Sequence, residues 1–288
     1  MNLNLKKRIS YILTGAALSI SCLGVNAEAA SFDSARFTTT EADGIKIHSY
    51  MTQDALGDVS TLFETKNNLI LLESVPFHSR EDELKAYIKT LRKPLKSIII
   101  SAHNGGAAAF SGVPIYASQA TADELNNSIK GQLDSFKSFG GSDLDGRLVA
   151  PAIVLKDKNV TIEGINFNMT YHNGVLPSMD LAIPQSKVLY THMLGSDEHS
   201  LIVSREQLDN VIAELKNYET QGYVVILSSH HKPEDGSAIT KKIAYLEQTQ
   251  TIIAESASAD EFMTKMKVAF PALRGLHYLT MSANFLFK

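Results

Sequence analysis

The chain has 288 residues, a formal net charge of −4 and one cysteine, Cys22. The nearly balanced charge, with no basic run beyond the N-terminus, argues against nucleic acid as a partner. A chain of this length can bury enough apolar surface for the core of one large domain.

The N-terminus has the pattern of a bacterial secretory signal peptide. The basic triplet Lys6-Lys7-Arg8 precedes a mostly apolar stretch, and Val25-Asn26-Ala27 fits the small-x-small cleavage rule. We therefore expect residues 1–27 to be a signal peptide and residues 28–288 to form a single domain. The mature protein would be periplasmic or secreted, with no stable membrane span after the signal is removed. An uncleaved membrane anchor is the alternative.

The single cysteine restricts the chemistry of the mature chain. Cys22 lies inside the predicted signal peptide, so we expect neither a disulfide nor a thiolate ligand after cleavage. Acylation of Cys22 in a lipoprotein is the alternative. Any metal site must then use histidine, carboxylate, amide or backbone oxygen ligands.

Apolar runs and turn residues predict the elements of the first half of the chain. Residues 31–40 form a loose lead-in or a first edge strand. Helical spacing of apolar residues after Ser79, a possible cap, predicts a helix that ends before Pro94. In chain order, the other predicted elements are strands at residues 44–51, 59–64, 69–73, 98–100 and 111–118, and a helix at 120–139.

The second half repeats this order of elements coarsely. The predicted elements are strands at 152–155, 160–163, 165–169, 179–183 and 187–191, a helix at 204–219, a strand at 223–227, and helices at 237–256 and 260–268. Two such halves, packed sheet on sheet with helices outside, predict an α/β fold with a four-layer α/β/β/α sandwich. A single parallel sheet is the alternative, and the run of short strands between 152 and 191 counts against it.

The most informative segment follows the buried strand at 98–100. Residues 97–110 read Ser-Ile-Ile-Ile-Ser-Ala-His-Asn-Gly-Gly-Ala-Ala-Ala-Phe. This layout resembles the metallo-β-lactamase superfamily, in which the strand is followed by Thr-His-x-His-x-Asp-His and the loop holds a zinc pair. In the best register the ligand positions are Ala102, Asn104, Gly106 and Ala107, so the ligand side chains are missing. Shifting the register by one residue recovers only His103.

Other segments extend the resemblance over most of the mature chain. Residues 69–73 look like the superfamily strand that ends in Leu-Ile-Asp, with Glu73 in place of the aspartate. Residues 170–174 resemble the loop with the third histidine ligand, here His172. Residues 188–192 resemble the strand that delivers the bridging aspartate, with His192 or Met193 there, and residues 224–230 resemble the strand and loop with the last ligand, His230.

The resemblance implies that the remaining histidines converge at one edge of the sandwich. His172, His192 and His230 are then the candidate ligands of one zinc ion, and His103 could supply a fourth; three imidazoles and an open position suit mononuclear zinc. The alternative is that no metal binds and the histidines hydrogen-bond to each other or to neighbours. The residues expected to line the pocket are Asn104, Gly105, Gly106, His199 and His231.

Two functional hypotheses follow. The loss of the loop ligands favours a non-catalytic descendant that binds a small molecule or a protein partner. The alternative is a mononuclear metal-dependent hydrolase of an ester, lactone, thioester or amide, the substrate classes that the resemblance implies. The small residues at 105–109 leave space that either a ligand or other protein atoms would fill.

Overall fold

The computed structural model describes residues 32–33, 36–54, 56–103, 105–127, 137, 140–174, 177–192 and 194–288. The predicted signal peptide, Cys22, Asn104 and Met193 lie outside these residues. The boundary between residues 27 and 28 therefore stays a prediction. None of the described helices is long and apolar enough to cross a membrane.

The first sheet contains, among the described residues, strands that stand side by side in chain order. Neighbours are antiparallel from β1 to β4 and parallel from β4 to β7. The strands are β1 (Phe37–Ala42), β2 (Ile45–Met51), β3 (Val59–Glu64), β4 (Leu69–Leu72), β5 (Leu95–Ile100), β6 (Ile115–Ser118) and β7 (Ile153–Leu155).

The second sheet runs β13-β12-β11-β10-β9-β8. Its neighbours are antiparallel except for the parallel pair of β11 and β12. The strands are β8 (Asn159–Ile162), β9 (Ile165–His172), β10 (Ser178–Ile183), β11 (Val188–Tyr190), β12 (Val225–Leu227) and β13 (Glu234–Asp235).

Helices cover the outer face of each sheet. Those named here are α1 (His78–Thr90), α2 (Gln119–Asn127), α3 (Arg205–Gln221), α4 (Ser237–Ala254), α5 (Ala259–Ala269) and α6 (Leu276–Leu286). The remainder of the helix predicted at 120–139 falls largely outside the described residues. Helix α6 was missing from the sequence prediction.

Three apolar clusters separate the layers and explain the sequence pattern of the strands. On β4, Ile70 and Leu72 face the second sheet, whereas Leu69 and Leu71 join the cluster beneath α1. A strand buried on both faces needs a continuous apolar run, which is what residues 69–72 show. A third cluster packs α3 to α6 onto the second sheet. The four-layer α/β/β/α sandwich is therefore confirmed.

The start of α1 differs from the prediction. The helix begins at His78, and its N-cap residue, Phe77, provides no side-chain cap. Ser79 lies inside the helix, where its N–H and hydroxyl donate to the two carboxylate oxygens of Asp143. A carboxylate from a distant loop thus takes the capping role, because it reaches a free N–H of the first turn and carries the charge that a helix N-terminus favours.

Candidate metal centre

Three histidines meet where strands of the two sheets end. His103 follows β5, His192 follows β11 and His230 follows β12. The ring centroids are 4.6 Å apart for His103 and His192, 4.7 Å for His103 and His230, and 5.2 Å for His192 and His230. One ring nitrogen from each lies within 4.8 Å of the other two. We call this group the three-histidine cluster.

The cluster offers neutral imidazoles with unused nitrogen atoms. None of the three Nδ1 atoms, all buried, has a hydrogen-bond partner in the part of the chain that the structure describes. Burial lowers the pKa of His103 and holds the pKa values of His192 and His230 well below the usual value. Neutral imidazole is the form that binds zinc, and an unpaired buried nitrogen is costly without a partner. These residues therefore fit a metal ion.

Asp58, which the sequence analysis missed, borders the cluster. Its Oδ1 lies 3.4 Å from Nδ1 of His230 and 3.9 Å from Nδ1 of His103. Burial, together with Asp54, raises the pKa of Asp58 well above its usual value. The start of β3 is tied to the His230 loop, because the Val59 N–H donates to the Ser229 carbonyl at 2.6 Å. A carboxyl group is thus fixed beside two of the three imidazoles.

Glu73 fixes the loop that carries His103. Its Oε1 accepts from the N–H groups of Ser101 and Ala102 at 2.9 and 2.8 Å, and its Oε2 accepts from the His103 N–H at 2.8 Å. The Tyr190 hydroxyl, on β11, also donates to Oε1 at 3.1 Å. Glu73 stands at the end of β4, where the resemblance places an aspartate, and it links the His103 loop to the strand that leads to His192.

His172 lies apart from the three-histidine cluster, unlike the predicted arrangement. Strand β9 extends to His172, further than expected, and pairs it with Ser178 of β10. This register places His172 diagonally opposite Asp180 on one sheet face, and Nε2 of His172 lies 3.1 Å from Oδ2 of Asp180. Glu214, from α3, approaches the same nitrogen at 3.5 Å.

The partners of His172 set its charge. Burial acts to lower the pKa of His172, but the hydrogen bond to Asp180 and the charges of both carboxylates raise it to about 9. Burial and the charge of Asp180 raise the pKa of Glu214 to about 7. His172 is therefore an imidazolium at neutral pH, held between two carboxyl groups.

The predicted pocket residues have other surroundings. Gly106 has φ +78°, and a Cβ there would lie 1.7 Å from the Val75 carbonyl oxygen; a Cβ on Gly105 would lie 2.4 Å from Cβ of Pro76. The space beside this part of the loop is thus filled by the chain between β4 and α1. Asn104 lies outside the described residues.

The other two predicted pocket residues are buried. Nδ1 of His199 is 3.1 Å from the Tyr245 hydroxyl, and His231 lies between Asp197 and Glu234. These contacts are internal to the fold.

A cavity of about 600 Å³ opens beside the three-histidine cluster. Both His192 and His172 line it, so it connects the cluster with the second group of side chains. Its wall also contains Lys242, a buried side chain whose Nζ donates to the Glu198 carbonyl and the Ser200 hydroxyl. Burial lowers the pKa of Lys242 to about 8. The wall is otherwise mixed in character, with apolar residues of α3 such as Leu208.

Comparison with known proteins gives similarity in structure only. No protein-family model matches the sequence. No curated protein matches it in sequence either. A metallo-β-lactamase from Pontibacter korlensis superposes with a TM-score of 0.54 at 19% identity, over 74% of this chain and 99% of that one.

Two further structures show the same similarity. The sec-alkylsulfatase Pisa1 from Pseudomonas sp. gives a TM-score of 0.60 at 16% identity over 84% of this chain, which spans only 48% of that enzyme. The mono-zinc form of the metallo-β-lactamase FIM-1 from Pseudomonas aeruginosa gives 0.52 at 14% identity, over 75% of this chain and 96% of that one. The predicted resemblance to the metallo-β-lactamase superfamily is thus confirmed at the level of the fold.

Proposed function

We propose that this chain, which has the metallo-β-lactamase fold, holds one zinc ion on His103, His192 and His230 and hydrolyses a small molecule in the adjoining cavity. The observation that supports the proposal is the convergence of three neutral imidazoles whose buried Nδ1 atoms make no hydrogen bond to any described residue. The substrate would be an ester, lactone, thioester or amide, as the resemblance implies.

Three imidazoles with an open coordination position are the ligand set of several catalytic zinc sites. When bound, the ion would lower the pKa of a coordinated water to about 7 and polarise the carbonyl oxygen of the substrate. The residues of the chain supply what surrounds it. Glu73 orients His103 through the backbone, and Asp58 Oδ1 is placed to hold and return a proton beside His230.

The cavity suits a small organic substrate. Its volume, about 600 Å³, lies within the range of roughly 300–1,000 Å³ that is typical of ligand sites. The apolar side chains of α3 on its wall would contact the hydrocarbon part of the substrate. His192 belongs to both the cluster and the cavity wall, so a bound molecule would lie against the metal centre.

The test begins with metal content. The mature chain, without a histidine tag, would be loaded with zinc, dialysed and analysed by elemental mass spectrometry. We expect the His192→Ala and His230→Ala variants each to contain one zinc ion fewer than the wild type. The exposed His277 provides the control, because His277→Ala should retain the ion. An unchanged zinc content in both cluster variants would refute the metal centre.

The second step separates catalysis from binding. Zinc-loaded protein would be assayed against chromogenic esters, lactones, thioesters and β-lactams, before and after removal of the metal by a chelator. Hydrolysis that is lost with the metal and restored by zinc supports the proposal. Zinc binding without hydrolysis of any substrate class would contradict the enzymatic part.

A non-catalytic binding protein for a small molecule or a protein partner is the second candidate. The observation that favours it is the filled space at Gly106, where a side chain would collide with Val75. The two-ion arrangement of the superfamily has no room for its aspartate there. Under this candidate the cavity would bind its ligand equally well with and without zinc, which calorimetry on both forms would measure.

A further inference from the structure

A second group of ligand-type side chains lies on the cavity wall, outside the three-histidine cluster. His172, Asp180 and Glu214 each offer one atom, and these atoms lie within 4.8 Å of one another. We propose that they form an independent site for a divalent cation of the Mn²⁺ type that opens into the cavity. The proposal goes beyond the hydrolase function and does not depend on it, since it requires neither zinc nor catalysis.

The distances suit direct coordination. Metal–ligand bonds of about 2.1 Å separate adjacent ligand atoms by about 3.0 Å at a right angle and about 3.4 Å at the tetrahedral angle. Nε2 of His172 lies 3.1 Å from Oδ2 of Asp180 and 3.5 Å from Oε2 of Glu214. An ion would therefore need only small side-chain movements, provided that the imidazole gives up its Nε2 proton.

The ligand set decides which ion fits. Two carboxylates and one imidazole form a harder set than three imidazoles, and carboxylate oxygens suit manganese better than the softer ions. The three-histidine cluster, with nitrogen ligands alone, favours zinc. The chain would thus hold two sites with different preferences on one cavity.

The supporting contacts resemble those around metal ligands. The Tyr218 hydroxyl, on α3, donates to Oδ2 of Asp180 at 3.0 Å and lies 3.0 Å from the Thr170 hydroxyl. Such a hydrogen bond holds a carboxylate ligand in place. Asp180 is 5% exposed, so its position is set by packing, whereas Glu214 is only partly buried and can adjust to an ion.

The charge of the group suits a cation once His172 has given up its Nε2 proton. Two carboxyl groups then face a single neutral imidazole. Lys242, a lysine of the cavity wall, donates instead to the Glu198 carbonyl and to Ser200, and the charges that act on it are those of Glu198, Glu234 and Asp197. The cavity adjoins the group, so water or a ligand could fill the remaining coordination positions.

The experiment is a Mn²⁺ titration of the zinc-loaded mature chain, in which the electron paramagnetic resonance signal of free Mn²⁺ measures how much of the ion remains unbound. We expect one Mn²⁺ per chain in the wild type, with an affinity that falls at least about tenfold in Glu214→Gln. The matched control is Glu206→Gln, which changes an exposed carboxylate on the same helix and the same cavity wall and should bind as the wild type does.

Folding and the identity of the site are checked in parallel. Mn²⁺ should raise the melting temperature of the wild type and of Glu206→Gln, but not of Glu214→Gln, because a ligand stabilises only the state that binds it. His230→Ala should lose zinc and retain Mn²⁺, so failure of the hydrolase proposal and failure of this one are distinguishable.

Four results would overturn the proposal. The first is no Mn²⁺ binding by the wild type up to about 1 mM, a concentration at which even weak oxygen-ligand sites are about half occupied or more. The second is equal affinity in Glu214→Gln and the wild type. The third is an equal loss in Glu206→Gln, which would mean diffuse attraction to the cavity. The fourth is loss of Mn²⁺ binding in His230→Ala, which would place the ion at the three-histidine cluster.

Discussion

The strongest prediction concerns Gly106 and its matched partner, Gly112. Both have a positive φ, +78° and +82°, so alanine at either position carries the strain of a left-handed backbone, about 1–2 kcal/mol. Only Gly106 also has a close neighbour: its added Cβ would lie 1.7 Å from the Val75 carbonyl oxygen and 2.6 Å from the carbonyl carbon, whereas nothing lies within 4 Å of the Cβ at position 112.

The contact decides the difference between the two variants. Relieving it requires a shift of backbone rather than of a side-chain tip, and such overpacking costs about 1–3 kcal/mol, occasionally more. We therefore expect the free energy of unfolding to fall by about 3–4 kcal/mol in Gly106→Ala and by about 1–2 kcal/mol in Gly112→Ala. The difference of about 2 kcal/mol corresponds to roughly a 30-fold change in the folding equilibrium constant.

Urea unfolding of the metal-free mature chain, monitored by circular dichroism, measures the free energy of unfolding of both variants. The two variants are compared at the same pH and protein concentration. A loss of stability that is the same in both, within about 0.5 kcal/mol, would show that the chain at Val75 does not fill the position beside Gly106. The filled space would then no longer explain why the superfamily's aspartate is absent here.

Two further predictions test the buried polar groups. Glu73→Gln should lower the free energy of unfolding by about 3 kcal/mol, because an amide N–H₂ would face the His103 N–H or another donor inside the fold. The control is Glu163→Gln, which should lower it by less than about 1 kcal/mol, because the partners of Glu163 are the side chains of Asn68 and Ser97, which can reorient. Equal losses of stability in the two variants would refute the argument. His199 has its pKa lowered by burial from 6.5 to about 4, so between these values the unfolded chain binds a proton that the folded chain does not. Stability should therefore fall as the pH decreases from 6.5 to 4, by at most about 1.4 kcal/mol per pH unit from this residue. His199→Gln should make that slope in urea unfolding shallower, and an unchanged slope would contradict the assignment.

The layers of the fold were predictable because burial on two faces leaves a mark in the sequence. The runs at 69–72 and 98–100 are continuously apolar, and each residue faces either the helices or the second sheet. Helix α6 was not predicted from the sequence pattern. It begins after Gly275, at φ +75°, and exposes apolar side chains such as Leu276 and Met281, so its pattern is not that of a helix with a clean polar face.

The site was less predictable, because it depends on register and on long-range contacts. Strand β9 continues beyond the predicted end at residue 169 as far as His172, which places His172 beside Asp180 of the neighbouring strand. Sequence patterns define strand ends only to within a few residues. Asp58 is a lone carboxylate before β3 and gains meaning only through its proximity to His230. The segments that carry His103, His192 and His230 were identified, but which histidines would meet was not.

The polar network around the three-histidine cluster gives the firmest reason to look for a ligand there. Glu73 accepts from three backbone N–H groups and from Tyr190, and the Tyr190 and Ser229 hydroxyls hydrogen-bond to each other. These buried groups are satisfied, as buried polar groups in folded proteins usually are. The three imidazole Nδ1 atoms beside them make no hydrogen bond within the part of the chain that the structure describes, although Asp58 Oδ1 lies 3.4 Å from that of His230 and 3.9 Å from that of His103. The supporting carboxylate and hydroxyls are thus paired while the imidazole nitrogens are not, and a metal ion is a partner that all three imidazoles can share.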